Sequence, residues 1–382
     1  LQPVPSFKVL LATSGDRLLG AAGLYRHTPT IVLNSTDMKR LKRFFAWLGG
    51  LVLLLSVGFM LGPTPPAPQL NTTLPTVSQD LRSLEAGINR SEASLENLKP
   101  DNQARIIWAD SSRKQKTPYS FLYLHGFGAS QAEGAPVHTN LARRYGANLY
   151  LARLQDHGIA SDSVFYHLTP ESYLASAKRA LAIAQALGNK VVIISTSAGA
   201  GLALFLASGH PQIHALVLYS PAIRLFDEKS SLMNGPWGKH IMRQVLGSAY
   251  LEFPRKNKLE AQFWSNRYRI EGPIVLQTFM ETALHQDTFA KVKCPVYLAY
   301  YYKNEAAQDK VVSVPKMLEM FDQLGTPAPL KRKEAFPATG HHVIASYIRS
   351  ADWQGVQAGT EKFLKETVRM QPAQRPADRV LK

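Results

Sequence analysis

Short apolar runs bounded by polar or turn-forming residues recur along this chain. They fall at residues 105–108, 120–124, 148–151, 191–194, 215–218 and 296–300, with a more polar run at 330–336. Between several of them the apolar positions take a helical spacing, around Leu141 and most strongly over residues 171–187, where alanines and leucines dominate. Strands separated by helices predict a mostly parallel, doubly wound sheet covered on both faces. Val191-Val192-Ile193-Ile194 is continuously β-branched, as a strand buried on both faces requires.

The same pattern divides the chain. Residues 1–37 show no clean periodicity and read as an upstream extension without structure, with Met38 as the initiator. Residues 38–62 read as a membrane anchor or signal peptide. Basic residues at 39–43 are followed by an uncharged run over 44–62, about nineteen residues, long enough to cross the hydrocarbon core as a helix. The basic flank places its start in the cytoplasm and the rest of the chain outside. Without a convincing cleavage site after Gly62 the anchor is preferred, an exported soluble protein being the alternative. Residues 63–103 then comprise a proline-rich extended spacer and a stalk helix carrying Leu81, Leu84, Ile88 and Leu95, capped near Asp80. The main domain spans 104–370, and 371–382 form a flexible tail. Over about 222–292 the alternation stops. Some seventy residues without a clear strand exceed a bare loop, so this stretch reads as a helical lid insertion.

Composition adds three limits. With 45% apolar and 19% charged residues, the 382-residue chain suits a globular core plus a greasier segment. The net charge of +16 permits anionic partners, but the cations are dispersed and no nucleic-acid motif accompanies them, so a membrane is the expected partner. Cys294 is the single cysteine, so no intramolecular disulfide exists, and no H-E-x-x-H or comparable set predicts a metal. No cofactor is expected either, since Gly199-Ala200-Gly201 lacks the third glycine of a dinucleotide fingerprint.

The chemistry gathers after the 191–194 strand. Ser195-Thr196-Ser197-Ala198-Gly199 leads from it into an apolar helix, with Ser197 at the apex, Gly199 in the last slot, and Ser195 where the first glycine of G-x-S-x-G is usual. Small residues are needed there because strand and helix backbones nearly touch, and the apex side chain is forced out over the sheet. Upstream, Leu124-His125-Gly126-Phe127-Gly128 ends another strand, where backbone N–H groups can face a developing oxyanion. Phe127 and Ala198 are the expected donors. A serine nucleophile also needs a base and an orienting carboxylate. Candidates follow later strands: Glu305 or Asp309 for the acid, then His341 or His342 for the base.

Taken together, Leu124-His125-Gly126-Phe127, Arg153-Leu154-Gln155-Asp156-His157-Gly158, the elbow, Asp309-Lys310-Val311-Val312 and Gly340-His341-His342-Val343-Ile344 resemble the α/β-hydrolase superfamily. The nearest likeness is to carboxylesterase and monoacylglycerol-lipase-like serine hydrolases, over roughly residues 104–364. The resemblance implies a Ser-Asp-His triad, a two-donor oxyanion hole and a helical cap over an apolar pocket. It favours Asp309 over Glu305, because the family's acid usually precedes a valine-bearing segment that starts a helix. For the base it points both ways: glycine before histidine selects His341, whereas histidine before Val-Ile selects His342, which is preferred.

The expected function is cleavage of a small-molecule or lipid carboxylic ester with an apolar acyl part. Trp237, Phe263, Trp264 and Phe279 of the insertion would contact the substrate. Amidase, peptidase or acyltransferase activity, or a non-catalytic envelope binding module, are the alternatives on the same fold.

Overall fold

A computed structural model describes residues 34–373. The rest of the expected upstream extension and the tail from 374 onward lie outside the described residues. The chain divides into two units, Leu1–Gly58 and Phe59–Lys382.

Helix α1 (Ser35–Met60) accounts for the described part of the first unit. It starts three residues before Met38, because Asn34 is a good cap: its Oδ1 accepts the Asp37 N–H at 2.8 Å. None of its residues is buried, and it is long and apolar enough to cross a membrane. A membrane anchor and a signal sequence share that property.

The second unit opens with an extended segment and α2 (Leu81–Ala93). The segment is extended, as its prolines require, but it is bound along its length rather than being a free spacer. Leu70, Leu74 and Val77 pack on the core, the Thr72 carbonyl contacts His210 Nε2 at 2.6 Å, and the Gln69 N–H donates to Glu171 at 2.8 Å. Asp80 caps α2 by accepting the Ser83 N–H, and Leu84 and Ile88 turn inward from it. The strands that follow are β1 (Arg105–Ile107), β2 (Thr117–Leu124), β3 (Asn148–Leu151), β4 (Gly188–Thr196), β5 (Ala215–Tyr219), β6 (Tyr250–Glu252), β7 (Arg267–Arg269), β8 (Val296–Tyr300) and β9 (Lys331–Ala335). The helices are α3 (Val137–Tyr145), α4 (Pro170–Leu187), α5 (Ala198–Gly209), α6 (Gly238–Leu246), α7 (Lys258–Phe263), α8 (Glu271–Ala283), α9 (Gln286–Lys291), α10 (Val314–Gln323) and α11 (Trp353–Glu366).

Seven strands form one sheet in the order β1-β3-β2-β4-β5-β8-β9, with only β1 antiparallel to its neighbour. Alternate side chains of the central strands feed two cores. Val191 and Ile193 of β4 join Leu216 and Leu218 of β5 under α4, α5, α8 and α10. Val192 and Ile194 join Val217 and Tyr219 under α3 and α11. Both faces are therefore covered, which is why these strands read as unbroken apolar runs. At the edge, β9 carries Lys331-Arg332-Lys333-Glu334, charges that discourage further pairing.

The chain moves outward from β2 to β3, then returns to the other side of β2 with β4. The order thus reverses between β2 and β4, and a crevice opens beyond their carboxyl ends. Register pairs Leu124 with Ser195 there, bringing the 125–128 loop beside the β4–α5 turn.

The insertion is not purely helical. A 3₁₀ turn (Glu228–Asn234) and α6 to α8 enclose a two-stranded antiparallel hairpin of β6 and β7. Each strand is three residues long, Tyr250-Leu251-Glu252 and Arg267-Tyr268-Arg269, too short for any alternation to mark it in sequence.

Candidate active site

Strand β4 passes into α5 through Ser197 alone. Ser197 sits at φ 54°, ψ −120°, a backbone conformation that costs a non-glycine residue of order 1–3 kcal/mol and persists only where surroundings enforce it. They do so here. The Ser197 N–H donates to the Tyr219 carbonyl at 2.9 Å, and its own carbonyl accepts the N–H groups of Ala200 and Ala222, each at 3.0 Å. Gly199 answers a steric demand. A Cβ on it would lie 2.6 Å from the His125 carbonyl oxygen and closer still to that of Leu124. Ser195 fills its slot without penalty, because its hydroxyl donates to the Val217 carbonyl at 3.2 Å.

Among the described residues, neither the Phe127 N–H nor the Ala198 N–H donates to a protein acceptor. Ala198 is the first residue of α5, where the helix leaves its N–H groups unpaired and its dipole favours negative charge. The Phe127 loop is held from below by His125. Its Nε2 accepts the Leu154 N–H at 3.1 Å and its Nδ1 contacts the Gly126 carbonyl at 2.9 Å, which fixes the tautomer. Burial lowers the His125 pKa to about 4, so this ring is a neutral brace. The His157 ring supports Phe127 edge-on, 5.2 Å between centroids.

The loop after β8 carries Asp309 and the loop after β9 carries His342. Their side chains meet: His342 Nδ1 lies 2.6 Å from Asp309 Oδ2. The other carboxylate oxygen accepts the N–H groups of Val311 and Val312, at 2.9 and 3.1 Å. Burial alone would raise the Asp309 pKa, but the His342 charge and hydrogen bond, with those two N–H groups, bring it below the usual range. For His342 burial pushes downward, and the charge and hydrogen bond of Asp309, with the charge of Glu133, outweigh it to give a raised pKa. Both shifts favour a charged imidazolium beside a carboxylate.

The alternatives stand elsewhere. Glu305 is exposed and bonds Tyr302 and Gln308. His341 turns away from Asp309. Its Nδ1 accepts the Val343 N–H at 2.9 Å, and burial followed by the charges of His342 and Arg349 lowers its pKa to about 4.

Ser197, His341 and His342 line one cavity of about 760 Å³ with largely apolar walls. No hydrogen bond joins Ser197 to His342, a contact that in serine hydrolases often tightens only with substrate. Of the four aromatics expected around the substrate, Trp264 lines the cavity and three do not. Phe279 lies on the inner face of α8, fully buried between Tyr173 and Phe205. Phe263 packs on Ala129, Ala132 and Val343. Trp237 is 40% exposed, and its backbone N–H donates to the Pro63 carbonyl at 2.9 Å. Their places are taken by Tyr268 and Phe253, which stack at 5.0 Å, and by aliphatic residues of α6 such as Ile241 and Val245.

Sequence reasoning missed Glu133. It is 3% exposed, lines the cavity, and accepts the Gly126 N–H at the root of the Phe127 loop. Burial raises its pKa to about 7 against the Gly126 hydrogen bond and the His342 charge. Its signal was an acid set among small residues, Ala132-Glu133-Gly134, directly after a candidate oxyanion loop.

A family model described as "Alpha/beta hydrolase family" matches residues 121–353, which contain every residue of this site. The chain belongs to the alpha/beta hydrolase family. Solved structures with this hydrolase's fold include one reported for the metagenome-derived lipolytic enzymes LipS and LipT. It is 15% identical, covers 70% of this chain and 99% of that one, and has a TM-score of 0.57. Also similar are the monoacylglycerol lipase of Paleococcus ferrophilus (15% identity, 67% and 97% coverage, TM-score 0.48) and Est1E of Butyrivibrio proteoclasticus with ferulic acid (17%, 72% and 100%, 0.47). At 15% identity the likeness to the first of these is one of fold. The comparison with curated proteins found no match.

Proposed function

We propose that this hydrolase cleaves carboxylic esters with an apolar acyl part through a Ser197–His342–Asp309 triad. The 2.6 Å bond between Asp309 and His342, in loops that share a cavity with a positive-φ serine, is the observation that carries this reading. In it, Ser197 Oγ attacks the carbonyl carbon as His342 Nε2 takes its proton. The negative charge that develops on the carbonyl oxygen is met by the Phe127 and Ala198 N–H groups. As the carbon–oxygen bond to the alcohol breaks, His342 returns the proton to the leaving oxygen. Water then attacks the acyl-serine with His342 again as base, releasing the acid and restoring Ser197. Asp309 holds the ring with Nε2 free and stabilises its charge.

Residues 222–292 act as a lid in this reading, since they leave the sheet after β5 and supply most of the apolar wall. Helix α1 anchors the protein, with its basic start in the cytoplasm and the hydrolase on the far side, as the cations at 39–43 favour.

A fluorophosphonate probe tests the chemistry. Stoichiometric labelling of Ser197 in the folded protein, lost in Ser197→Ala, is expected. A native protein that resists the probe and turns over no ester would instead be a binding module.

A further inference from the structure

Buried charges in proteins are paired, because desolvating an isolated ion costs several kcal/mol. One wall of the cavity departs from this rule. Arg255 lines the cavity half-buried and, among the described residues, has no carboxylate within ion-pair distance. Its Nη2 donates to the Ser265 carbonyl, its Nε is buried without a partner, and its guanidinium lies over the Phe253 ring, 5.7 Å from the centroid.

Beside it stands a second guanidinium. Arg349 also lines the cavity, with its side chain 12% exposed, over the face of Trp264 at 5.1 Å. It meets Glu260 at 3.3 Å, and its Nε is likewise buried and unpartnered. Behind both, Lys99 donates, among the described residues, only to the carbonyl oxygens of Ala261 and Trp264, at 2.8 and 3.0 Å. Of these three half-buried cations only Arg349 meets a carboxylate at ion-pair distance, that of Glu260, whose Oε2 also accepts the Lys256 N–H, while the Arg349 charge also acts on Glu133 in the same cavity. The three cations also repel one another. After burial, the charge of Arg349 lowers the Arg255 pKa, and that of Arg255 helps bring Lys99 to about 8. The cluster reaches the residue beside His342, since Arg349 Nη1 lies 3.5 Å from His341 Nε2.

We propose that Arg255 and Arg349 form an anion subsite, and that the ester this hydrolase accepts carries a carboxylate or phosphate on the end that lies against Trp264. A guanidinium fork matches the geometry of either group and binds it bidentately, with charge-assisted hydrogen bonds. The apolar remainder of the cavity holds the rest of the molecule. An anion there completes the pairing that the protein leaves open. This inference rests on the esterase reading for turnover, though not for binding.

The test uses the full-length protein in detergent. Two matched pairs of esters separate the sources of the charge: a 4-nitrophenyl alkanoate against the hemi-ester of a dicarboxylic acid of equal length, and a monoacylglycerol against the lysophosphatidic acid with the same chain. At least one anionic member should exceed its neutral partner in kcat/KM by about tenfold or more, the size of effect a charged hydrogen bond supports. Arg255→Gln should abolish that preference and Arg255→Lys should keep part of it. Neutral members equalling or beating both anionic ones overturn the proposal. Calorimetric titration with glutarate and with inorganic phosphate reads the subsite without turnover. Saturable binding of at least one, weakened about tenfold or more in Arg255→Gln, supports it, and no binding, or binding indifferent to that change, overturns it. Failure of fluorophosphonate labelling with retained anion binding would sink the esterase reading alone.

Discussion

His342 Nδ1 stands 2.6 Å from Asp309 Oδ2, although the two residues are 33 positions apart. The loops that carry them follow β8 and β9, adjacent parallel strands whose carboxyl ends face the same crevice. His341, one residue away, points elsewhere and spends its Nδ1 on the Val343 N–H. His342→Ala should therefore lower kcat by several orders of magnitude, the scale of removing a triad member. His341→Ala should cost about tenfold or less, felt mainly in KM or melting temperature. Steady-state kinetics on both variants decides it, and the reverse ranking would move the base to His341.

The pH profile should reflect the Asp309 charge. As the proposed base, His342 works only when neutral, and its pKa is raised, so kcat/KM should fall as pH drops through a midpoint above 6.5. Asp309→Asn removes the charge that offsets burial. The midpoint should then shift downward and kcat should drop ~10³–10⁴-fold. A wild-type acid limb centred below 6.5 would contradict the assignment.

Glu133 gives a stability signature of opposite sign to most carboxylates. Its folded pKa of about 7 lies above the unfolded value of 4.5, so the unfolded chain releases the proton first. Its contribution to stability is present below pH 4.5 and is lost as pH rises through 7, a change of about 3 kcal/mol at most. Glu133→Gln keeps an acceptor for the Gly126 N–H without the charge. Its melting temperature relative to wild type should rise between pH 5 and 8, and a pH-independent difference would refute the argument.

Gly199 has no room for a side chain, because both of its obstacles are backbone carbonyls that cannot swing away. Gly199→Ala should destabilise by ~1–3 kcal/mol, as overpacking does, and should displace the elbow enough to lower kcat. Denaturant unfolding monitored alongside activity checks both, and a wild-type midpoint would show that the contact is softer than the geometry implies.

Helix α1 predicts that the full-length protein needs detergent for extraction, while a chain beginning near Gln69 stays in solution and retains the Gln69–Glu171 tie. Fractionation and mass spectrometry of the mature N-terminus test this. A terminus just after Gly62 would make it a released protein.

Local regularities carried the sequence a long way. Runs such as Val191-Val192-Ile193-Ile194 announce strands because a strand covered on both faces must be apolar at every position. The elbow is legible because only small residues survive where Gly199 touches the β2 end. The apolar stretch of α1 needs nothing beyond its own length and composition. What depends on side-chain direction was decided only by the tertiary structure. Two adjacent histidines are equivalent in a motif, but the loop after β9 turns one toward Asp309 and the other toward its own backbone. The insertion's aromatics look alike in sequence, yet packing buries Phe279 in the core and leaves Trp264 on the cavity wall. Glu133, marked in sequence only by its small neighbours, and the Arg255–Arg349 pair were missed for the same reason. Each acquires its meaning from what the fold removes from water and sets beside it, and neither spacing nor composition records that.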